Sequence, residues 1–153
     1  MICTELKGGE TATCSRSARR AMIAVEVIVV KEFSFTIGNC PGSLVEIAEA
    51  LGKEHVNIEG IAGATVLEEG VVCIVPDDPG KARKALRDAG IDFEENEALV
   101  LDLTNRPGEL ATLLKRMSSE GINVLSAYAS VEKNQIILTV DQLERTKEIL
   151  HIA

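Results

Sequence analysis

Apolar positions along this chain change rhythm several times, and each change predicts an element. From Ile23 to Ile37 the sequence is rich in Val, Ile and Phe. So many β-branched and aromatic residues favour a strand, long or broken, with Phe33, Phe35 and Ile37 alternating onto one face. Pro41 has no N–H for a ladder, so Asn39 to Gly42 reads as the turn that stops it. From Ser43 to Glu54 the spacing becomes helical, with Leu44, Ile47, Ala48 and Leu51 on one stripe. Val56–Ile61 and Val66–Val75 read as two strands, with a turn at Glu68-Glu69-Gly70. Asp78-Pro79 supplies an N-cap and a proline at the first helical position. The helix Lys81–Ala89 is expected to bury Ala82, Ala85, Leu86 and Ala89 and to end at Gly90. A short strand is expected at Ile91–Glu94.

The same order then returns. Asn39-Cys40-Pro41-Gly42-Ser43-Leu44 comes back as Asn105-Arg106-Pro107-Gly108-Glu109-Leu110, at a spacing of 105 − 39 = 66 residues. Val56-Asn57-Ile58 falls on Ile122-Asn123-Val124, and an ungapped match still sets Lys81 on Lys147. Two copies at so long a period indicate a duplicated domain rather than a solenoid. In the second copy Ala98–Leu103 is a strand. Leu110, Leu113, Leu114 and Met117 form the helical stripe, closed by Gly121. Ile122–Ala127 and Gln135–Val140 are strands, and Asp141 is placed to cap a last helix carrying Leu143 and Leu150. Each copy is β-α-β-β-α, with a fourth strand evident only for the first. This is the ferredoxin-like split βαβ order, an α+β fold with an antiparallel sheet and helices on one face. The expected division is a leader at 1–21, a first domain at 22–97 and a second at 98–153. The second copy's closing strand is either missing, which leaves an open edge, or supplied by Ile23–Val30.

Composition narrows the function. The 153 residues carry a net charge of −8, 3 % aromatics and no Trp. Nucleic acid is a poor partner for such a chain, which offers no basic stripe and little to stack a base on. No apolar run approaches the roughly 20 residues of a membrane span. Residues 1–21, with Ser15-Arg16-Ser17-Ala18-Arg19-Arg20, have no period and read as a mobile leader. Glu26 interrupts the following apolar run and no small-residue cleavage site follows, which argues against a signal peptide. Cys3, Cys14, Cys40 and Cys73 show no CxxC or metal spacing and fit reduced thiols in the cytoplasm. No nucleophile–base pair, phosphate-cradling loop or metal cluster is visible, so neither an enzyme nor a bound cofactor is expected. Each half is near the size at which a lone core is marginal, so the halves should pack together.

A strand, then Asn-x-Pro-Gly-x-Leu opening an amphipathic helix, then Asn57-Ile58 or Asn123-Val124 starting the next strand, resembles the ACT domain. That family comprises small-molecule-sensing modules, usually for amino acids, attached to or partnered with metabolic enzymes. The resemblance covers roughly residues 31–153 as two ACT domains in tandem, similar to stand-alone tandem ACT proteins. It implies a non-catalytic regulator that binds an amino acid where modules meet. The implied ligand residues are Asn39, Cys40, Gly42, Ser43, Leu44, Asn57 and Ile58 in the first copy. In the second they are Asn105, Arg106, Gly108, Glu109, Leu110, Asn123 and Val124. Serine-sensing members carry a histidine two residues before the first Asn. Ile37 and Leu103 stand there in this chain, which tilts the expectation toward an apolar ligand, or none at one of the two sites.

The chemistry of the loops is consistent with that implication. A helix N-terminus offers free N–H groups and partial positive charge to a carboxylate, and an Asn amide both donates and accepts. The two loops should be unequal, with Cys40 and Ser43 beside one cradle and Arg106 and Glu109 beside the other. A homodimer is expected from the half-finished second copy, and the resemblance implies a metabolic enzyme as partner. The alternative is an assembly subunit of an enzyme that binds no metabolite. Glu94, Glu95 and Glu97 read as a solvated connector, Arg83, Lys84 and Arg87 as the wet face of a helix, and His55 and His151 as surface residues.

Overall fold

The computed structural model describes residues 26–131 and 133–150; the expected leader, the start of the first strand and His151 lie outside them. Ten elements follow in order: β1 (Val27–Gly38), α1 (Ser43–Lys53), β2 (Ile58–Val66), β3 (Glu69–Pro76), α2 (Pro79–Asp88), β4 (Glu94–Asp102), α3 (Glu109–Ser119), β5 (Val124–Ala129), β6 (Gln135–Val140) and α4 (Leu143–Leu150). One antiparallel sheet has the strand order β2-β3-β1-β4-β6-β5.

That order follows from two long strands that each serve twice. β1 pairs along its first part with Leu101 to Ala98 and along its next part with Glu97 to Glu94. Its later residues, from Phe33 to Gly38, also pair with β3 on the other side. Val27–Val30 therefore supply the strand that closes the second copy. β4 in turn is both the last strand of the first copy and the opening strand of the second. The separate strands expected at Ile91–Glu94 and Ala98–Leu103 are one strand beginning at Glu94, and the sequence division at 97/98 falls in its middle. Glu95 and Glu97 are strand residues rather than connector. Glu95 accepts from Arg83 Nε at 2.8 Å and from Nη2 at 2.7 Å, so Arg83 is tied to the sheet instead of lying free on its helix.

Alternation puts all four helices on one face. Phe33 and Phe35 are buried with Ile47 and Leu51 of α1 and with Ala82 and Leu86 of α2. Val27 and Val29, of the same parity on the same strand, pack in a second cluster with Leu113 and Met117 of α3. Leu143, Ile149 and Leu150 of α4 join that second cluster. Phe93 leaves α2 for the first core, its ring 5.2 Å from that of Phe33. The helical stripes sit slightly off the expected ones. Ala50 is buried, whereas Leu44 is 43 % exposed and its counterpart Leu110 39 %. Ala48 and Ala89 are exposed as well. The first turns of α1 and α3 thus project beyond the sheet, and Ala89 lies past the last residue of α2.

The other sheet face carries Val30, Val75, Ala98, Val100 and Ile137 around Tyr128. The sheet coils far enough for its two edge strands to meet over this cluster. Gly60 and Ser130 form an antiparallel bridge. Val131 N–H donates to Glu59 O at 2.9 Å, and Ser130 Oγ donates to the same oxygen at 3.1 Å. A Cβ at Gly60 would lie 2.2 Å from Ile137 Cδ1 and 3.3 Å from Tyr128 Cε2, so a larger residue there would have to push the Ile137 side chain aside.

The repeat is not ungapped. Asn57 N–H donates to Asp77 Oδ1 20 residues on, while Asn123 N–H donates to Asp141 Oδ1 only 18 residues on. The second copy is therefore 20 − 18 = 2 residues shorter between these points. Lys81 corresponds to Arg145 rather than to Lys147. Asp141 is the counterpart of Asp77, not of the cap Asp78: its carboxylate holds the start of β5, and Gln142 stands before α4. The turn of the first hairpin is Leu67-Glu68, one residue earlier than expected, with Leu67 at φ 58°.

Candidate functional site

Each Asn-Pro-Gly loop ends in a glycine that only a residue without Cβ adopts comfortably. Gly42 has φ 100° and Gly108 φ 93°, and they stand at the N-caps of α1 and α3. No side chain caps either helix. The first-turn amides beside each loop are thus left to backbone, water or a ligand. Asn39, Cys40, Asn105 and Arg106 are all exposed.

The two loops differ in what stands beside them. In the first copy the β1–β3 ladder continues to Ile37↔Gly70 and Gly38↔Glu69. The hairpin is tied to the loop there, Glu68 O accepting from Asn39 N–H at 3.0 Å. In the second copy the β4–β6 ladder stops at Asp102↔Gln135. The missing two residues shorten the hairpin, and its end bonds to Glu59 of β2 instead. A groove of about 910 Å³ opens between the segment Asp102–Leu110 on one side and Ala129, Ser130, Val131 and Lys133–Ile136 on the other.

Of the residues expected at a ligand site, the groove gathers Asn105, Arg106, Glu109 and Leu110. Gly108 lies within the same loop as the left-handed cap. Asn123 and Val124 begin β5 beyond the opposite end of α3. The Asn123 N–H is taken by Asp141, and Val124 packs on the second core. Asn57 and Ile58 mirror them: Asp77 takes the Asn57 N–H, and Ile58 packs on the first core. They reach the groove end of the sheet only through the next residue, Glu59, whose carbonyl holds the groove wall. Asn39, Cys40, Gly42, Ser43 and Leu44 gather around the first loop, against its own hairpin.

Charge follows the same asymmetry. Arg106 Nη2 lies 3.4 Å from Glu109 Oε1, where the first copy has Cys40 Sγ 3.0 Å from Ser43 Oγ. Asp102 and Lys133 also line the groove, which therefore presents two cations and two carboxylates. Sequence reasoning missed Thr104, Ser130, Lys133 and Asn134, which belong to the groove. The signal that points to them is the two-residue shortening, visible only when the aspartates rather than the lysines are matched. Among the described residues, no His, Cys, Asp or Glu group is placed to hold a metal, and no helix is long and apolar enough to cross a membrane.

Comparison with known proteins accounts for this arrangement. A family model described as an ACT domain pair matches residues 28–153. Among solved structures, protein BT0572 from Bacteroides thetaiotaomicron superposes with a TM-score of 0.74 at 27 % identity, over 82 % of this chain and 88 % of that one. The ligand-free regulatory subunit of aspartate kinase from Thermus thermophilus does so with a TM-score of 0.60 at 16 % identity, over 83 % and 94 %. Aspartokinase III of E. coli, in complex with lysine and aspartate, gives 0.54 at 14 % identity, over 82 % of this chain and 31 % of that one. The last two likenesses are of fold. No curated protein matches the sequence. Two copies share one sheet and the family match spans both, so the chain belongs to the ACT domain family, as a pair of ACT domains.

Proposed function

We propose that the protein is a non-catalytic regulator that binds a free amino acid in the groove beside Asn105. The observation that carries this reading is the groove itself. One of two homologous loops is bonded to its own hairpin through the Asn39 N–H, and the other lines a groove that carries both signs of charge. Arg106 and Lys133 suit a carboxylate, and Asp102 and Glu109 suit an ammonium, so a zwitterion is matched at both ends. Leu110 and Val131 offer apolar surface to its side chain. The similar structures support the reading by analogy, since one is a regulatory subunit and another holds amino acids.

Regulation then requires that occupancy be read elsewhere, by a second copy or by an enzyme partner. The sequence-based reason for self-association was an unfinished second copy. Val27–Val30 finish it within the chain, so the surface favoured for assembly is instead the exposed pole of Leu44, Val45, Val66 and Leu67. Thermal-shift screening against the twenty amino acids tests the ligand part. A rise in melting temperature with at least one of them, absent in Asn105→Ala, supports it; no rise with any of them counts against it.

A further inference from the structure

A buried polar cluster lies inside the coiled sheet, directly beneath the meeting of β2 and β5. Glu32 is 2 % exposed. Its carboxylate accepts from Tyr128 Oη at 2.5 Å and from Thr139 Oγ1 at 3.1 Å, and Ser126 Oγ donates to Thr139 Oγ1 at 2.8 Å. Glu32 belongs to the first copy, and Tyr128, Thr139 and Ser126 belong to the second.

The repeat shows that the fold does not need this cluster. At the 66-residue spacing Glu32 corresponds to Ala98 and Tyr128 to Ala62, and past the shortened hairpin Thr139 corresponds to Val75. Ala98 and Val75 are buried in the same interior. One half of the sheet face is thus closed with small apolar side chains and the other with a carboxylate and hydroxyls. Burying a carboxylate carries a desolvation cost that an apolar set avoids, so a role beyond packing follows. Position indicates the role. Tyr128 is followed directly by Ala129, Ser130 and Val131, which line the groove, and Ser130 and Val131 make the bonds to Glu59.

We propose that the meeting of β2 with β5 is a joint that opens and closes as one unit, latched by Tyr128 on Glu32, and that it ties the groove wall to the first ACT domain. Closed, it holds Ser130 and Val131 against Glu59. Open, it frees the wall and widens access to Cys73, a half-buried thiol beside Glu32 that is pushed up to about 11, first by burial and then by Glu32. This inference rests on the closed sheet alone and not on the identity of any ligand.

The test uses the full chain with Cys3, Cys14 and Cys40 replaced by Ser, so that Cys73 is the single thiol. Its reaction rate with a small disulfide reagent is measured at one pH, together with amide exchange at Val131 and Leu99. In Tyr128→Phe, and in Thr139→Val, which installs the residue of the other copy, both Cys73 reaction and Val131 exchange should quicken. The expected factor is about tenfold, typical of one lost buried hydrogen bond. Leu99, in the central ladder, should keep its exchange rate. Faster Cys73 reaction with unchanged Val131 exchange overturns the proposal, because it marks a local effect on the thiol. Equal quickening at Leu99 overturns it too, because the whole sheet is then loosening rather than one joint.

Discussion

Lys31 and Glu97 stand opposite one another in the β1–β4 ladder, and they are also each other's counterparts in the repeat, 66 residues apart. The local two-fold axis of the duplicated chain therefore passes between them. Their side chains form an ion pair across it, Lys31 Nζ to Glu97 Oε1 at 3.1 Å. Each copy gives its first strand to the other as a fourth, so neither sheet is complete alone.

Shared strands should make the pair unfold as one. Leu99, fully buried in β4, is expected to cost about 2–5 kcal/mol on replacement by Ala. A single denaturant transition should persist when probes in the two copies are compared. Lys31→Ala removes only a half-exposed ion pair and should cost about 1 kcal/mol or less. Two separate transitions in Leu99→Ala would show that the copies fold independently.

The aspartate clasps should matter equally in both copies. Asp77 and Asp141 each accept an Asn N–H at 2.9 Å, and each donates its own N–H back to that asparagine's carbonyl, at 3.0 and 3.1 Å. Asp77→Ala and Asp141→Ala are each expected to destabilise by about 1–3 kcal/mol, by leaving a strand-start N–H without its partner. Urea titration measures both. A negligible change in either removes the clasp from the account.

Alkaline pH should weaken the fold through Cys73. Its thiol is held up at about 11 by burial, and then by Glu32, against an ordinary value near 9. Between these values the unfolded chain releases the proton while the folded chain keeps it. Stability must then fall as pH rises through that window, and below it the thiol contributes no slope. Cys73→Ala should flatten the decline between about pH 9 and 11. An unchanged decline would place the sensitive group elsewhere.

Much of the fold was legible because it depends on periodicity. Phe33, Phe35 and Ile37 alternate, Ala82, Ala85 and Leu86 follow a helix, and the Asn-Pro-Gly loops announce the duplication. Elements that serve two masters were not legible. Nothing local distinguishes one continuous strand at Glu94–Asp102 from a strand, a connector and a second strand, since that choice is made by pairing with β1. The candidate groove was half legible for a related reason. Asn105, Arg106, Glu109 and Leu110 lie beside a motif, whereas Ser130 and Lys133 reach the groove through a hairpin whose length shows only against its homologue. Leu44 and Leu110 fit the helical period, yet the helices extend past the sheet there and leave them exposed.

The ligand is expected at the second Asn-Pro-Gly loop, which lines the groove, and not at the first, which is bonded to its own hairpin. Isothermal calorimetry of the unmodified chain, Asn39→Ala and Asn105→Ala, each titrated with the amino acids that shift its melting, tests it most directly. The account predicts one site per chain, an affinity weakened by about 1–3 kcal/mol in Asn105→Ala for the lost hydrogen bonds to a charged ligand, and an unaltered affinity in Asn39→Ala. Two sites per chain, or a loss in Asn39→Ala with none in Asn105→Ala, would contradict it.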